Sequence, residues 1–289
     1  PGDVSMATGY ASATADGKRV LFASADALTA DAPAGGIKVY RAEISPDGIA
    51  VSYLPGVDGY PAAIDEDAST ILVASLGSGS GKASFKVWDE DRPGAPYALA
   101  TDLPASPNER AVFEPAFSDD GSVLVFASHQ EIEPGFAPLP ESTYLQAYRL
   151  TKQSEIATCI SCRRDGGTPA RFGGRMSNFS GVATDNAAFP NGAGPDYFNQ
   201  SSVVGNRKIS SDGSRVFFDT SDPLDPARDL NNTRDVYMWE DGKSYLLTSG
   251  RNPIPSLVLD NSRSGDDVIF ITAYGLISSD TNQTYDAYD

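Results

Sequence analysis

The sequence predicts an all-β repeat fold, and three observations carry that expectation. A turn containing Asp-Gly recurs, each time followed by a short apolar run. The recurrences keep a near-constant spacing. Glycine and proline are plentiful, 27 and 20 of 289 residues, where helical heptads are lacking. Asp-Gly between apolar runs signals a hairpin, because glycine supplies the positive φ that tight turns need. Four short antiparallel strands per repeat, set radially, make a β-propeller, so the expected fold is a propeller of four-stranded blades, with about five blades visible and the last incomplete.

Taken in order, Ala15-Asp16-Gly17 leads into a run from Arg19 to Ser24, and Asp119-Asp120-Gly121 into Val123 to Ser128. Ser211-Asp212-Gly213 leads into Arg215 to Asp219, and Ser264-Gly265-Asp266-Asp267 into Val268 to Ile271. Gly213 to Gly265 is one step of about 52 residues, and Gly17 to Gly121 is two such steps, which requires a copy near residue 69. Asp65-Glu66-Asp67-Ala68-Ser69, followed by Ile71 to Ser75, stands there without its glycine. The interval from Gly121 to Gly213 exceeds one period by about 40 residues. That excess, rich in Gly, Asn and Pro, reads first as an inserted loop over 163–205, with a degenerate sixth blade as the other reading.

The blades are then expected near 7–55, 56–103, 109–160, 203–250 and 254–289 of one propeller domain or part of one. In the fourth, the strands read as Val203 to Ser210, Arg215 to Thr220, Asp235 to Glu240 and Lys243 to Ser249. Second strands are apolar at nearly consecutive positions, as strands covered on both faces are. The fifth repeat stops inside its third strand, so closure by Asp3 to Met6 or membership of a longer propeller is expected; Pro1 reads as a mature or excised boundary.

Formal net charge is −17, which argues against nucleic acid or an anionic membrane surface as a partner. No apolar run reaches the roughly 20 residues that span a bilayer, so no membrane insertion is expected.

The stretch Ser211-Asp212-Gly213-Ser214-Arg215-Val216-Phe217-Phe218, then Asp229-Leu230-Asn231, then Asp235-Val236-Tyr237, resembles the WD40-like, TolB-type (PD40) propeller repeats. It is most similar to a version found in exported actinobacterial proteins. Cys159-Ile160-Ser161-Cys162 resembles a Cys-x-Ser-Cys segment of those proteins. The resemblance implies a propeller and export to the periplasm, the cell surface or the extracellular space. It implies no substrate.

Asp-x-Asn-x-x-x-Asp occurs twice between second and third strands, as Asp229, Asn231, Asp235 and as Asp280, Asn282, Asp286. Closely spaced oxygen ligands suit a hard cation such as calcium, although no bidentate Glu follows. The other reading is that these residues cap turns and brace the loop. Cys159 and Cys162 are the only cysteines. Such a pair serves as a redox motif, half a zinc site or a small disulfide; in a protein that the resemblance places outside the cytoplasm, a disulfide is the expectation.

The remaining motifs point to no defined chemistry. His129 is the single histidine and no Gly-x-Ser-x-Gly elbow accompanies it. Gly77 to Lys82 departs from a phosphate loop, since Ala83 stands where Ser or Thr is needed. Arg163, Arg164, Arg171 and Arg175 form a basic cluster, either an anion-docking patch or arginines answering nearby acids. Asn178, Asn199, Asn231 and Asn282 lie in sequons.

The expected function is therefore a non-enzymatic exported propeller. It would act as a binding or structural module for a protein or carbohydrate partner at the cell surface, with oligomeric state open. The alternative is a propeller-type hydrolase or lyase, or the propeller domain of a larger hydrolase, with paired carboxylates doing acid–base work.

Overall fold

The computed structural model describes residues 11–76, 82–104, 113–128, 132–133, 135–136, 146–154, 157–169, 207–282 and 284–289. Among them are eighteen strands in five sheets and no helix. The first sheet holds β1 (Ala11–Ala13), β2 (Arg19–Ser24), β3 (Lys38–Ser45) and β4 (Gly48–Asp58). The second holds β5 (Tyr60–Ile64), β6 (Thr70–Leu76), β7 (Lys82–Asp89) and β8 (Tyr97–Pro104). In the third are β9 (Phe113–Phe117), β10 (Val123–Ser128), β11 (Gln146–Thr151) and β12 (Ala157–Cys159). The fourth has β13 (Arg215–Thr220), β14 (Asp235–Glu240) and β15 (Lys243–Leu246), and the fifth β16 (Ser256–Asn261), β17 (Val268–Thr272) and β18 (Asp286–Tyr288).

Strands neighbour one another in chain order, and hairpin partners run antiparallel, as in β2 with β3 and β13 with β14. Three sheets have four strands and two have three. Where the sequence places a first strand over 203–210, the described residues hold a single bridge, Ile209 to Val216. Lys82 opens a strand rather than the helix that a phosphate loop needs.

The recurring turn is one structure used five times. The carbonyls of Thr14, Asp65, Ser118, Ser210 and Ser262 accept the N–H of Gly17, Ala68, Gly121, Gly213 and Gly265, at 2.9, 3.4, 3.0, 2.9 and 2.9 Å. Those five acceptor-facing residues all have positive φ, between 58° and 75°. Asp16, Asp67, Asp120 and Asp212 each accept the backbone N–H two residues on at 3.0 Å, the Asx-turn mechanism. The Ser214 amide, then the Ser210 hydroxyl, hold the Asp212 carboxyl down at about 2. Ala68 explains the missing glycine. A left-handed alanine costs roughly 1–2 kcal/mol, but its methyl is fully buried in a cluster with Leu21, Val39, Ile71 and Val73, and a buried methyl offsets about 0.8 kcal/mol of that.

The chain divides into two compact units, Pro1–Ser106 with Phe117–Ser122 and Pro107–Ala116 with Val123–Asp289. The cluster around Ala68 fills the first unit. In the second, Val123, Val125, Ala127 and Ala147 pack with Ile160, Val216, Phe218 and Tyr237. A further group joins Phe217 and Val236 to Val258. Arginines tie the first sheet to the turn of the second and the third sheet to the turn of the fourth. Arg41 donates to the Ala68 carbonyl at 3.3 Å and lies 5.9 Å from the Trp88 ring centroid. Arg149 does the same to the Gly213 carbonyl at 3.1 Å, 4.7 Å from the Trp239 ring. Such guanidinium stacking adds about 0.5–2 kcal/mol.

Candidate functional site

The two Asp-x-Asn-x-x-x-Asp motifs sit in the β13–β14 and β17–β18 loops. In the first, Asp229 and Asp235 are buried, at 5% and 1% exposure. The Tyr237 hydroxyl donates to Asp229 Oδ2 at 2.6 Å. Asn231 Nδ2 donates to Asp235 Oδ2 at 2.7 Å, and its Oδ1 accepts the Thr233 N–H at 2.9 Å. The Thr248 hydroxyl donates to Asp235 Oδ1, and its oxygen accepts the Val236 N–H at 3.1 Å. Between them Asn232 takes a left-handed φ of 56°, a conformation Asn adopts more readily than most residues. Burial pushes the Asp229 carboxyl up, the Tyr237 hydrogen bond opposes this, and the charge of Asp235 adds to it. Burial, then the bond to Asp229, also pushes the Tyr237 phenol up.

The second loop keeps part of that arrangement. The Tyr288 hydroxyl donates to Asp280 Oδ2, and Asn282 Oδ1 accepts the Thr284 N–H at 2.6 Å. Asp280 Oδ1 and Asp286 Oδ2 are buried atoms that find no hydrogen-bond partner among the described residues. Among the described residues, no group of three or more His, Cys, Asp or Glu side chains is gathered as metal ligands.

The tyrosines are the functional-looking residues that sequence reasoning missed. Tyr40 OH accepts the Leu28 N–H at 3.0 Å and donates to the Asp26 carbonyl at 2.9 Å. Tyr148 OH accepts the Ile132 N–H at 3.4 Å. Each of the four lies beside a phenylalanine of the preceding strand: Phe22–Tyr40 at 5.6 Å, Phe126–Tyr148 at 5.5 Å, Phe218–Tyr237 at 6.0 Å and Phe270–Tyr288 at 5.9 Å between centroids. The signal available in sequence was the recurrence of Phe on second strands and Tyr on third strands.

Cys159 and Cys162 are joined by a disulfide with Cα atoms 5.5 Å apart. Of the basic cluster, Arg163 pairs with Asp165 through bonds of 3.0 and 2.6 Å. Arg164 donates to the Cys159 carbonyl at 3.1 Å and stacks on Phe136 at 4.7 Å. Arg171, Arg175, His129, Asn178 and Asn199 lie outside the described residues.

No family model and no curated protein matches the chain. Solved structures similar to it include a TolB candidate from Agrobacterium tumefaciens, at 13% identity and TM-score 0.42, covering 93% of this chain and 71% of that one. Another is the β-propeller domain of the Trilobed protease from Pyrococcus furiosus, at 11% identity and TM-score 0.48, covering 97% and 68%. A prolyl endopeptidase matches at 14% identity and TM-score 0.48 over 92% of this chain and 32% of its own. The chain thus spans about a third of that enzyme.

Proposed function

We propose that the five sheets are propeller blades and that the protein acts without catalysis, as an exported module that binds a protein or carbohydrate partner. The observation that carries this reading is where the polar groups go. Asp16, Asp67, Asp120 and Asp212 hold turn amides, and Asp229, Asn231 and Asp235 hold one another and their neighbours. Side chains used this way rigidify loops, and rigid loops on a sheet scaffold suit recognition. The disulfide supports a location outside the reducing cytoplasm, and the charge of −17 supports partners other than nucleic acid. The last loop is the place where calcium would bind, because Asp280 and Asp286 keep oxygens without donors.

The test is a pair of assays on the purified chain. Arrays of polysaccharides and extracellular proteins should show saturable retention that soluble protein competes away. Ester, anilide and glycoside substrates should not turn over above buffer. Turnover that disappears on substitution of a carboxylate would overturn the reading in favour of a hydrolytic propeller.

A further inference from the structure

We infer that the Cys159–Cys162 disulfide is a redox-sensitive latch that fastens the third sheet to the fourth. The four-residue ring sets two side chains in place. Ile160, 3% exposed, enters the cluster that joins Val125 and Ala147 of the third sheet to Val216, Phe218 and Leu246 of the fourth. Ser161 is fully buried. Its hydroxyl accepts the Ala147 N–H at 2.8 Å and donates to Gln146 Oε1. Gln146 Nε2 in turn donates to Asp222 Oδ2 at 3.3 Å, beyond the end of β13. The Ile160 carbonyl accepts the Ser244 hydroxyl of β15 at 2.8 Å. Every one of these links from the ring to the fourth sheet passes through Ile160 or Ser161, the two residues enclosed between the sulfurs.

The two sulfurs differ in access. Cys159 is 1% exposed, while Cys162 is only partly buried. A dithiol reductant therefore attacks Cys162 Sγ first. Its thiolate forms a mixed disulfide there, the Cys159–Cys162 bond breaks, and Cys159 leaves as a thiolate that takes up a proton. The second thiol of the reductant then displaces Cys162, which leaves as a thiol. The reductant ends as its own disulfide, oxidised by two electrons, and the protein ends with two thiols. Freed of the ring, the 159–162 segment regains backbone freedom that closure of so short a loop restricts by about 20-fold in equilibrium terms.

Hydrogen exchange of the full chain, oxidised and reduced with dithiothreitol, tests this. Reduction, verified by a two-dalton mass gain, should speed exchange about 20-fold in segments 146–150, 157–161 and 242–246. Segments 70–76 and 84–89 should be unchanged. Equal exchange in both redox states overturns the inference, as does a uniform rise across the whole chain, which would make the disulfide a general staple. Ile160→Ala, studied oxidised, separates the latch from simple loop loosening. It should raise exchange in 242–246 with the disulfide intact, and unchanged exchange there overturns the role given to Ile160.

Discussion

The β13–β14 and β17–β18 loops carry the same Asp-x-Asn-x-x-x-Asp spacing but end in different states. In the first, Asp235 receives Asn231 and Thr248, and Asp229 receives Tyr237. In the second, the tyrosine bond to Asp280 and the Asn282 turn persist, but Asp286 Oδ2 and Asp280 Oδ1 find no donor among the described residues. The difference follows from position. Thr248 comes just after β15, which pairs with β14, whereas among the described residues β18 pairs with β17 alone. Ligand-like spacing becomes bracing when a neighbouring strand brings donors to it.

The largest expected effect sharpens that contrast. Asp235→Ala strips partners from the half-buried Asn231 amide and the buried Thr248 hydroxyl, so it should destabilise by about 2–3 kcal/mol. Asp286→Ala, measured with EDTA present, removes an oxygen that had no donor and should stay within about 0.5 kcal/mol of the natural protein. Urea midpoints of the two variants make the comparison, and equal losses would break it.

Next comes the tyrosine. Tyr237→Phe leaves the buried Asp229 carboxylate short of a donor, a loss of about 1.5–3 kcal/mol for a hydrogen bond to a charged group. Tyr288→Phe faces a loop that water reaches, since Asp280 and Tyr288 are only partly buried, and should cost under about 0.5 kcal/mol. Thermal unfolding of the two variants should rank them in that order; a Tyr288→Phe loss as large as the other would show that the last loop is braced as firmly.

How much of this was legible in the sequence differs by element. The turns were, because Asp-Gly states both its φ and its Asx bond locally, and the period led to Asp65–Ser69, where Ala68 does take the glycine conformation. The loop acids were legible as a cluster with two readings, cation ligands or braces, but their partners were not. Their partners Tyr237 and Thr248 are eight and thirteen residues from the acids they meet, and strand pairing, which local spacing does not encode, brings them together. The arginine ties were hidden for the same reason: Arg149 meets Gly213 across 64 residues. The expected first strand of the fourth sheet depends on 203–206, outside the described residues.

Calcium probes the contrast through the oxygens themselves. Titration of EDTA-stripped protein should give one binding event rather than two. Asp280→Asn should abolish it and Asp229→Asn should not. At ten times the dissociation constant, binding to the folded state alone stabilises by about 1.4 kcal/mol. Two events of equal heat would mean that the first loop opens its bonded oxygens to the ion.

The smallest effect is a pH dependence confined to the braced loop. Burial raises the Asp229 carboxyl above its ordinary value of 3.8. An unfolded chain therefore ionises this group first as pH rises, and the folded state loses stability from about 3.8 upward until Asp229 itself has ionised. Asp212 has the opposite sign. Held down at about 2, it contributes stability above 3.8 that disappears as pH falls from 3.8 toward about 2. Asp229→Asn keeps an acceptor for Tyr237 and removes the ionisation, so its midpoint should rise relative to the natural protein as pH increases from 3.5 to 7, with Asp212 unchanged as the acid-side control. A midpoint difference that stays constant over that range would mean that Asp229 is not held in the dry environment that separates the two loops.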